Sequence, residues 1–297
     1  MINNKFLNLR NCLTSPDISF LMEAHNPLSA QIVEEVGFEG IWASGLSIAA
    51  SMGVRDANEL SWTQILGLLE YMSDATSIPI LVDGDTGYGN FNNVRILVKK
   101  LCQRGIAGVC IEDKIFPKTN SFIEGAQSLA DIDEFCGKIK AAKDSQTETY
   151  FSVVARVEAL IAGAGMAEAL KRAEAYSKAG ADAILIHSKK STAEEIMHFA
   201  SQCQENIPLV IVPTKYSSTP TDEYRKAKIS TVIWANHNLR ASIAAMKNIS
   251  KLIKKNESVY FTRNEIASLD EVFHLADYDE LARAETKYLP NDLMKAA

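Results

Sequence analysis

No apolar stretch in the 297 residues reaches the roughly 18 needed to cross a bilayer. The opening MINNKFLNLR also has no signal-peptide core. These absences predict a cytoplasmic chain with no membrane partner. There is no Lys/Arg run either, and the net charge is −6, which argues against nucleic acid as the main partner. An anionic small substrate would need basic groups gathered locally. Cysteines are few and odd in number (Cys12, Cys102, Cys110, Cys136 and Cys203), with no CxxC spacing, so neither a zinc site nor a disulfide framework is expected. Low-complexity segments and long linkers are missing too.

What is there is a regular alternation. With 47% hydrophobic and 23% charged residues, the chain can bury a large core. Short apolar runs recur eight times, at Ser19 to Ala24, Gly40 to Ala43, Ile78 to Val82, Gly108 to Ile111, Phe151 to Ala155, Ala183 to Ile186, Leu209 to Val212 and Ser230 to Trp234. Runs that are continuously apolar mark parallel strands covered on both faces. Helical periodicity fills the gaps: Ser29 to Val36, Trp62 to Met72, Asn93 to Cys102, Ile132 to Ala142, Ala167 to Ala179, Ala193 to Gln202 and Leu239 to Ile253. Eight βα repeats predict one α/β domain over residues 1–297, a (β/α)8 TIM-type barrel, with an open doubly wound sheet as the alternative. A short helix over Met1 to Thr14 precedes it. An extra amphipathic helix at about 268–290 reads as a packing arm. Gly37, Gly105 and Gly180 each stand just past a helix, where a left-handed cap is expected.

The most informative stretch is IPILVDGDTGYGN, Ile78 to Asn90. Apolar residues lead into Asp83 and Asp85, and Gly87 and Gly89 then permit a tight turn. On a strand advancing about 3.3 Å per residue, carboxylates at i and i+2 share a face about 7 Å apart, a spacing that suits a shared hard cation. In a barrel the chemistry gathers at the C-terminal strand ends. Those ends carry Ser44 and Gly45, Asp83 and Asp85, Glu112 and Asp113, Arg156 and Glu158, His187 and Ser188, and Asn236 and His237. Three acidic ends beside an Arg and a His form a site for a cation plus an anion such as a phosphorylated acid.

Each feature has a plainer reading. The DxD could cap a loop, Glu112 could pair with Lys114, and Arg156 could neutralise Glu158. His187 could be a hydrogen-bonded structural residue, and Ser44–Gly45 only a turn, although consecutive turn amides can also hold a carboxylate. The isolated His25, His198 and His274 read as structural. The segment over 114–128, KIFPKTNSFIEGAQS, is long enough for a lid and carries Lys118 and Asn120.

Taken together, EAHNPLSA, GIWASGLS, GVRDANE, DGDTGYGN, EDKIFPKTNS, VARVEALIAG, ILIHSKK, IVPTKY and VIWANHNLRA resemble the phosphoenolpyruvate mutase family of the isocitrate lyase superfamily, from about Leu9 to Pro290. The resemblance implies a barrel whose eighth helix is exchanged between subunits, in a homotetramer that is a dimer of helix-swapped dimers. It implies an isomerase that interconverts phosphoenolpyruvate and 3-phosphonopyruvate with Mg²⁺, forming a C–P bond through a metaphosphate-like transition state for phosphonate biosynthesis. A downstream phosphonopyruvate decarboxylase or transaminase would draw the reaction forward.

By motif, Asp83 would bind the metal directly, with Asp85 and Glu112 acting largely through water. Trp42, Ser44, Gly45 and Leu46 would lie at the pyruvyl carboxylate, and Arg156 and His187 at the phosphoryl group. Lys118 and Asn120 would sit on the gating loop, and Asp56 near the reacting centre. Related C–C lyases carry a catalytic Cys in a KKCGH-like loop, where this chain reads FPKTNS. Phosphonopyruvate hydrolases carry Thr at the position of Asn120. The stretch Ile123 to Gln127 is one residue short of the usual family loop and lacks an Arg beside Gly125, which bears on leakage to water. A non-catalytic phosphonate-binding protein would have no use for the metal carboxylates.

Overall fold

The computed structural model describes residues 4–123, 128–203 and 207–289. Eight parallel strands form a closed barrel in sequence order: β1 (Ser19–Ala24), β2 (Gly40–Ala43), β3 (Ile80–Asp83), β4 (Gly108–Glu112), β5 (Ser152–Val157), β6 (Ala183–Ile186), β7 (Leu209–Ile211) and β8 (Thr231–Trp234). Closure is direct, since β1 pairs with β8 in the register Ser19↔Thr231, and the open-sheet alternative falls. Three strands coincide with the predicted runs, and the other five shift by one or two residues at an end.

Between the strands lie α2 (Pro27–Val36), α3 (Gly45–Ser51), α4 (Trp62–Asp74), α5 (Phe91–Gln103), α6 (Ile132–Ser145), α7 (Met166–Lys178), α8 (Glu194–Gln202) and α9 (Thr221–Lys226). Their starts are written locally. Asn26, Ser61 and Asn90 each close a capping box with the residue three further on, satisfying amide groups that the first turn leaves orphaned. Gly37 ends α2 at φ 94°, as the sequence predicts for a left-handed cap. The short α3 and α9, 7 and 6 residues long, are absent from the sequence reading.

Two apolar layers hold this unit together. One lies between the strands and the helices and includes Ile41, Val82, Val109, Leu97, Ile139 and Phe199. The other fills the bore with Leu21, Trp42, Leu81, Cys110, Val154, Leu185, Val210 and Ile233. Full burial of one such aliphatic side chain stabilises by about 1.5–3 kcal/mol. The N-terminal helix α1 (Lys5–Thr14) adds Leu9 and Leu13, both at 0% exposure, to the bore. It is held at the strands' N-terminal ends by Arg10, which bonds the Phe151 carbonyl at 2.9 Å and Asp182 at 2.6 Å. With that end stoppered, the opposite rim is left for chemistry.

The contacts divide the chain into residues 1–239, which hold the whole barrel, and residues 240–297. α10 (His237–Asn256) begins in the first unit and runs into the second. Within the second, the arm expected as one helix is two, α11 (Leu269–Leu275) and α12 (Tyr278–Tyr288). Asp277 breaks it at φ 52° and caps α12 by accepting from the Glu280 amide. Residue 290, the end of the expected arm, lies outside the described residues, as do Met1 to Asn3 of the expected first helix.

Candidate active site

Asp83 is the last residue of β3, but the strand does not continue to Asp85, whose φ is +50°. The two carboxylates therefore do not share a strand face, contrary to what an i, i+2 spacing on a straight strand predicts. Positive φ at Asp85, Gly87, Tyr88 and Gly89 coils the chain instead, and the Asp85 amide turns back to Asp83 Oδ1 at 3.3 Å. What both carboxylates flank is Gly45. A Cβ built there would lie 3.1 Å from Asp83 Oδ2 and 3.3 Å from Asp85 Oδ1, so the absence of a side chain leaves that space open. Ser44 and Gly45 form no simple turn: Ser44 caps α3 and Gly45 is its first residue.

Lys118 closes over this acidic group. Its Nζ stands 2.6 Å from Asp85 Oδ1 and 2.9 Å from Asp56 Oδ1. Asn120 Nδ2 donates to the other Asp56 oxygen at 2.6 Å. Burial works against a charged Asp56, but the Lys118 ammonium and these hydrogen bonds outweigh it and hold the carboxyl below its ordinary value. Asp85 goes the other way. Burial, reinforced by Asp83 and Asp56, outweighs Lys118 and pushes it up to about 7. Asn58, unnoticed in the sequence, ties the two segments together, donating to Asp85 Oδ2 at 2.7 Å and accepting the Lys118 amide at 2.7 Å.

Glu112 ends β4 in register with Arg156 of β5. Arg156 Nε is 3.4 Å from Glu112 Oε2 and 2.5 Å from Glu158 Oε1, so the neutralising Arg–Glu pair is present as well as the cationic rim. Burial raises Glu112 above the usual carboxylate range despite Arg156, and its Oε1 has no hydrogen bond among the described residues, only Lys114 Nζ at 3.7 Å. Glu158, also enclosed, is instead held well below that range because Arg156 and His187 overcome burial. His187 Nδ1 stands 2.8 Å from both Glu158 Oε1 and Arg156 Nη2, and a given tautomer serves one of them. Burial and the Arg156 charge lower the affinity of His187 for a proton. Ser121, another residue the sequence reading passed over, donates to Glu158 Oε2 at 2.7 Å and accepts from Arg156 and Lys114 at 3.0 Å each.

These side chains surround one cavity. Of the predicted residues, Trp42, Ser44, Leu46, Asp56, Asp83, Lys118, Asn120, Arg156 and His187 line it, with Ser121, Phe122, Val212, Thr214, Ala235 and Asn236 completing the wall. Gly45, Asp85 and Glu112 stand immediately behind the lining, as the contacts above show. Local signal existed for Ser121, which continues the KTNS motif, and for Asn58 in GVRDANE. Val212, Thr214 and Ala235 carry no chemistry of their own to betray them. His25 is structural, its Nδ1 2.6 Å from the enclosed Glu23. His198 and His274 lie outside the cavity. Residues 124–127 of the long loop, including the shortened stretch and Gly125, lie outside the described residues.

The donor set suits a hard cation. Asp83, Asp85 and Glu112 offer only oxygen, Glu112 Oε1 has no hydrogen bond, and a space without a Cβ lies between the two aspartates. Among the described residues no three such side chains converge as a closed cage, so water or substrate oxygens would complete the shell. Beside Glu112, Arg156 and His187 line the same cavity and offer a place for an anion.

A family profile described as phosphoenolpyruvate phosphomutase matches residues 9–254. The phosphoenolpyruvate phosphomutase of Tetrahymena pyriformis is 59% identical over 286 residues, 96% of this chain and 95% of that protein. The crystal structure of the enzyme of that name from Streptomyces platensis subsp. rosaceus superposes with a TM-score of 0.94 at 44% identity, over 96% of this chain and 99% of that one. A phosphonopyruvate hydrolase crystallised with oxalate and Mg²⁺ gives a TM-score of 0.91 at 38% identity, over 98% of this chain and 100% of that one. With these matches along nearly its whole length, the chain belongs to the phosphoenolpyruvate phosphomutase family.

Proposed function

We infer that the protein interconverts phosphoenolpyruvate and phosphonopyruvate, moving a phosphoryl group between the enolate oxygen and C3 of one pyruvyl unit. The observation that carries this reading is that one cavity gathers both charges, with Asp83 in its lining and Asp85 and Glu112 just behind, and Arg156 and His187 lining it as well. Similarity to the phosphomutases at 59% and 44% identity supports it.

Asp83, Asp85 and Glu112 would hold Mg²⁺, the ion crystallised with the hydrolase relative. Bound there, the ion supplies positive charge that stabilises an enolate. Phosphoryl transfer asks a protein chiefly for positioning and charge stabilisation. Arg156 and His187 hold the migrating group through N–H donors, with Glu158 setting the plane of the guanidinium. Ser44 and Leu46, which line the cavity with Trp42, and Gly45 just behind them would border the pyruvyl end. Asp56 fixes Lys118 and Asn120 at the cavity, where they would face the reacting centre. A metaphosphate-like group is taken readily by water, so the loop over 114–128 acts as the lid that excludes it.

In this reading residues 1–297 serve as one domain in a homotetramer of helix-swapped dimers. Support comes from residues 240–297, where Val259, Tyr260, Phe261, Leu269, Val272 and Phe273 are exposed, an apolar surface of the kind that partners cover. Among the described residues no helix is long and apolar enough to cross a membrane. The enzyme would work in the cytoplasm, supplying phosphonate biosynthesis through a coupled decarboxylase or transaminase.

Phosphorus NMR of the protein with phosphonopyruvate and Mg²⁺ tests the reading. Phosphoenolpyruvate is expected. Inorganic phosphate alone would mean a phosphonopyruvate hydrolase, and no change would leave a lyase or a binding protein. Asp83→Ala is expected to lose both the turnover and any rise in Tm on adding Mg²⁺. Retention of both would sink the metal assignment.

A further inference from the structure

Helix α7 carries Glu168, Arg172 and Tyr176 four residues apart, so the three share one face. None of them lines the cavity. Arg172 and Tyr176 are nonetheless buried, and both point at Asp113, the residue that follows Glu112 and has 0% exposure. Asp113 Oδ2 accepts from the Tyr176 hydroxyl at 2.7 Å and from Arg172 Nη1 at 2.9 Å. Arg172 is itself aimed by Glu168, which accepts from its Nε at 2.8 Å, and the Tyr176 ring packs edge-on against Phe135 at 4.7 Å between centroids.

Asp113 is also tied to the backbone of Arg156 and Glu158 in the site, and to that of Ala130. Its Oδ1 accepts the Glu158 amide at 2.8 Å, its own amide donates to the Arg156 carbonyl at 3.2 Å, and its carbonyl accepts the Ala130 amide at 2.9 Å. Arg172 Nη1 also reaches the Ala130 carbonyl at 3.0 Å, so both backbone groups of Ala130 are held. Glu158, whose backbone Asp113 grips, bonds Arg156, His187 and Ser121 through its carboxylate. One enclosed carboxylate thus connects helix α7 to the ends of β4 and β5.

We propose that Arg172 and Tyr176 are positioning residues for phosphoryl transfer, acting through Asp113 on Glu158 and thereby on the Arg156–His187 pair. The proposal rests on the functional reading above, since it concerns the same anion site. A carboxylate with two donors from one helix has a defined plane, and the Glu158 amide takes its place from that plane. If one donor is lost, Asp113 can rotate, Glu158 shifts with it, and the guanidinium leaves its line. Side chains behind the contacting shell commonly matter at this level, with losses of about 10–100-fold in activity on mutation. A phosphoryl group held off line is also open longer to water.

The test compares Tyr176→Phe and Arg172→Lys with the parent protein and with Lys143→Met, which breaks an ion pair of 2.9 Å to Asp182 at the other end of the barrel. Each full-length protein with added Mg²⁺ is given phosphonopyruvate; kcat, KM and the ratio of phosphoenolpyruvate to inorganic phosphate are read well below Tm. In Tyr176→Phe kcat should fall about tenfold with a smaller change in KM, and the phosphate share should rise. Arg172→Lys, which keeps a charge on Asp113 but loses the fork, should fall between that variant and the parent. Lys143→Met should match the parent in product ratio whatever its Tm. The Arg156 Nε–H resonance, recorded without turnover, should move in the two α7 variants and stay in place in Lys143→Met. Parent-like kcat, ratio and resonance in Tyr176→Phe would overturn the proposal, as would equal changes in Lys143→Met. An inactive parent would sink the functional reading alone, because the resonance comparison would still decide the positioning role.

Discussion

Glu112 and Arg156 are register partners on β4 and β5, yet Arg156 Nε lies 3.4 Å from Glu112 and only 2.5 Å from Glu158. Glu158 has first claim on the guanidinium, and Glu112 is left with an oxygen that has no hydrogen bond among the described residues. We expect Glu112→Gln to keep or raise the Tm of the metal-free protein, since it removes a buried carboxylate that burial already disfavours. The same change should weaken activation by Mg²⁺ at least about tenfold. Melts without metal and a Mg²⁺ titration of activity check both halves; a clear drop in Tm would show that the Arg156 contact stabilises the fold after all.

Lys118 is the counter-ion of two aspartates at once. Lys118→Ala leaves the buried Asp56 and Asp85 carboxylates without their shared counter-ion, and breaking a buried pair in this way costs about 3 kcal/mol or more. Added Mg²⁺ should recover part of the lost Tm without recovering turnover. Thermal melts with and without Mg²⁺, alongside an activity assay, read the two effects apart.

Asn120 donates to Asp56 at 2.6 Å and lines the cavity. Asn120→Ala should change the affinity for phosphonopyruvate less than about threefold while lowering kcat about 100-fold, the cost of a lost transition-state donor. Calorimetry and single-turnover kinetics separate these. A large loss of affinity with kcat preserved would assign Asn120 to ground-state binding.

His187 binds a proton less readily in the folded chain than in the unfolded one. The unfolded state therefore takes up protons first on acidification, and stability contributed by neutral His187 is complete above about pH 6.5 and declines as pH falls below it. Glu158, held low, adds its own loss only beneath the ordinary glutamate range. Denaturant unfolding across pH 5 to 8 should show the parent losing stability relative to His187→Gln as pH falls below about 6.5, on top of the opposite trend that Asp85, pushed up to about 7, contributes to both proteins. An equal slope in the variant would place the titration elsewhere.

Much of the architecture was legible because barrel strands are buried on both faces and read as plain apolar runs; Ser19–Ala24, Gly40–Ala43 and Ala183–Ile186 were readable to the residue. Most helices were legible from their period alone, although the one read from Asn93 starts two residues earlier, after the Asn90 cap. The short α3 and α9 lack enough turns to show a period. The break at Asp277 depends on one residue entering the left-handed region, which an amphipathic pattern does not record. In the site, the charged strand ends were predictable because a barrel collects them on one rim. Their pairing was not. Asn58 meets Asp85 across 27 positions and Arg172 meets Asp113 across 59, distances along the chain that only the winding of the barrel turns into contact. The coil at Asp85 likewise overrode a spacing argument that assumed a straight strand.

Leu9 and Leu13 stopper the bore at one end, and the side chains above them, up to Trp42, fill it. Among the described residues the barrel is thus a bottle and not a pipe. Whatever enters at the charged rim leaves past the same rim, so substrate and product of an isomerisation queue for one opening, and each is expected to inhibit entry of the other competitively. Traffic through a single neck also means that the net direction follows from the equilibrium constant and the concentrations of substrate and product at that one mouth.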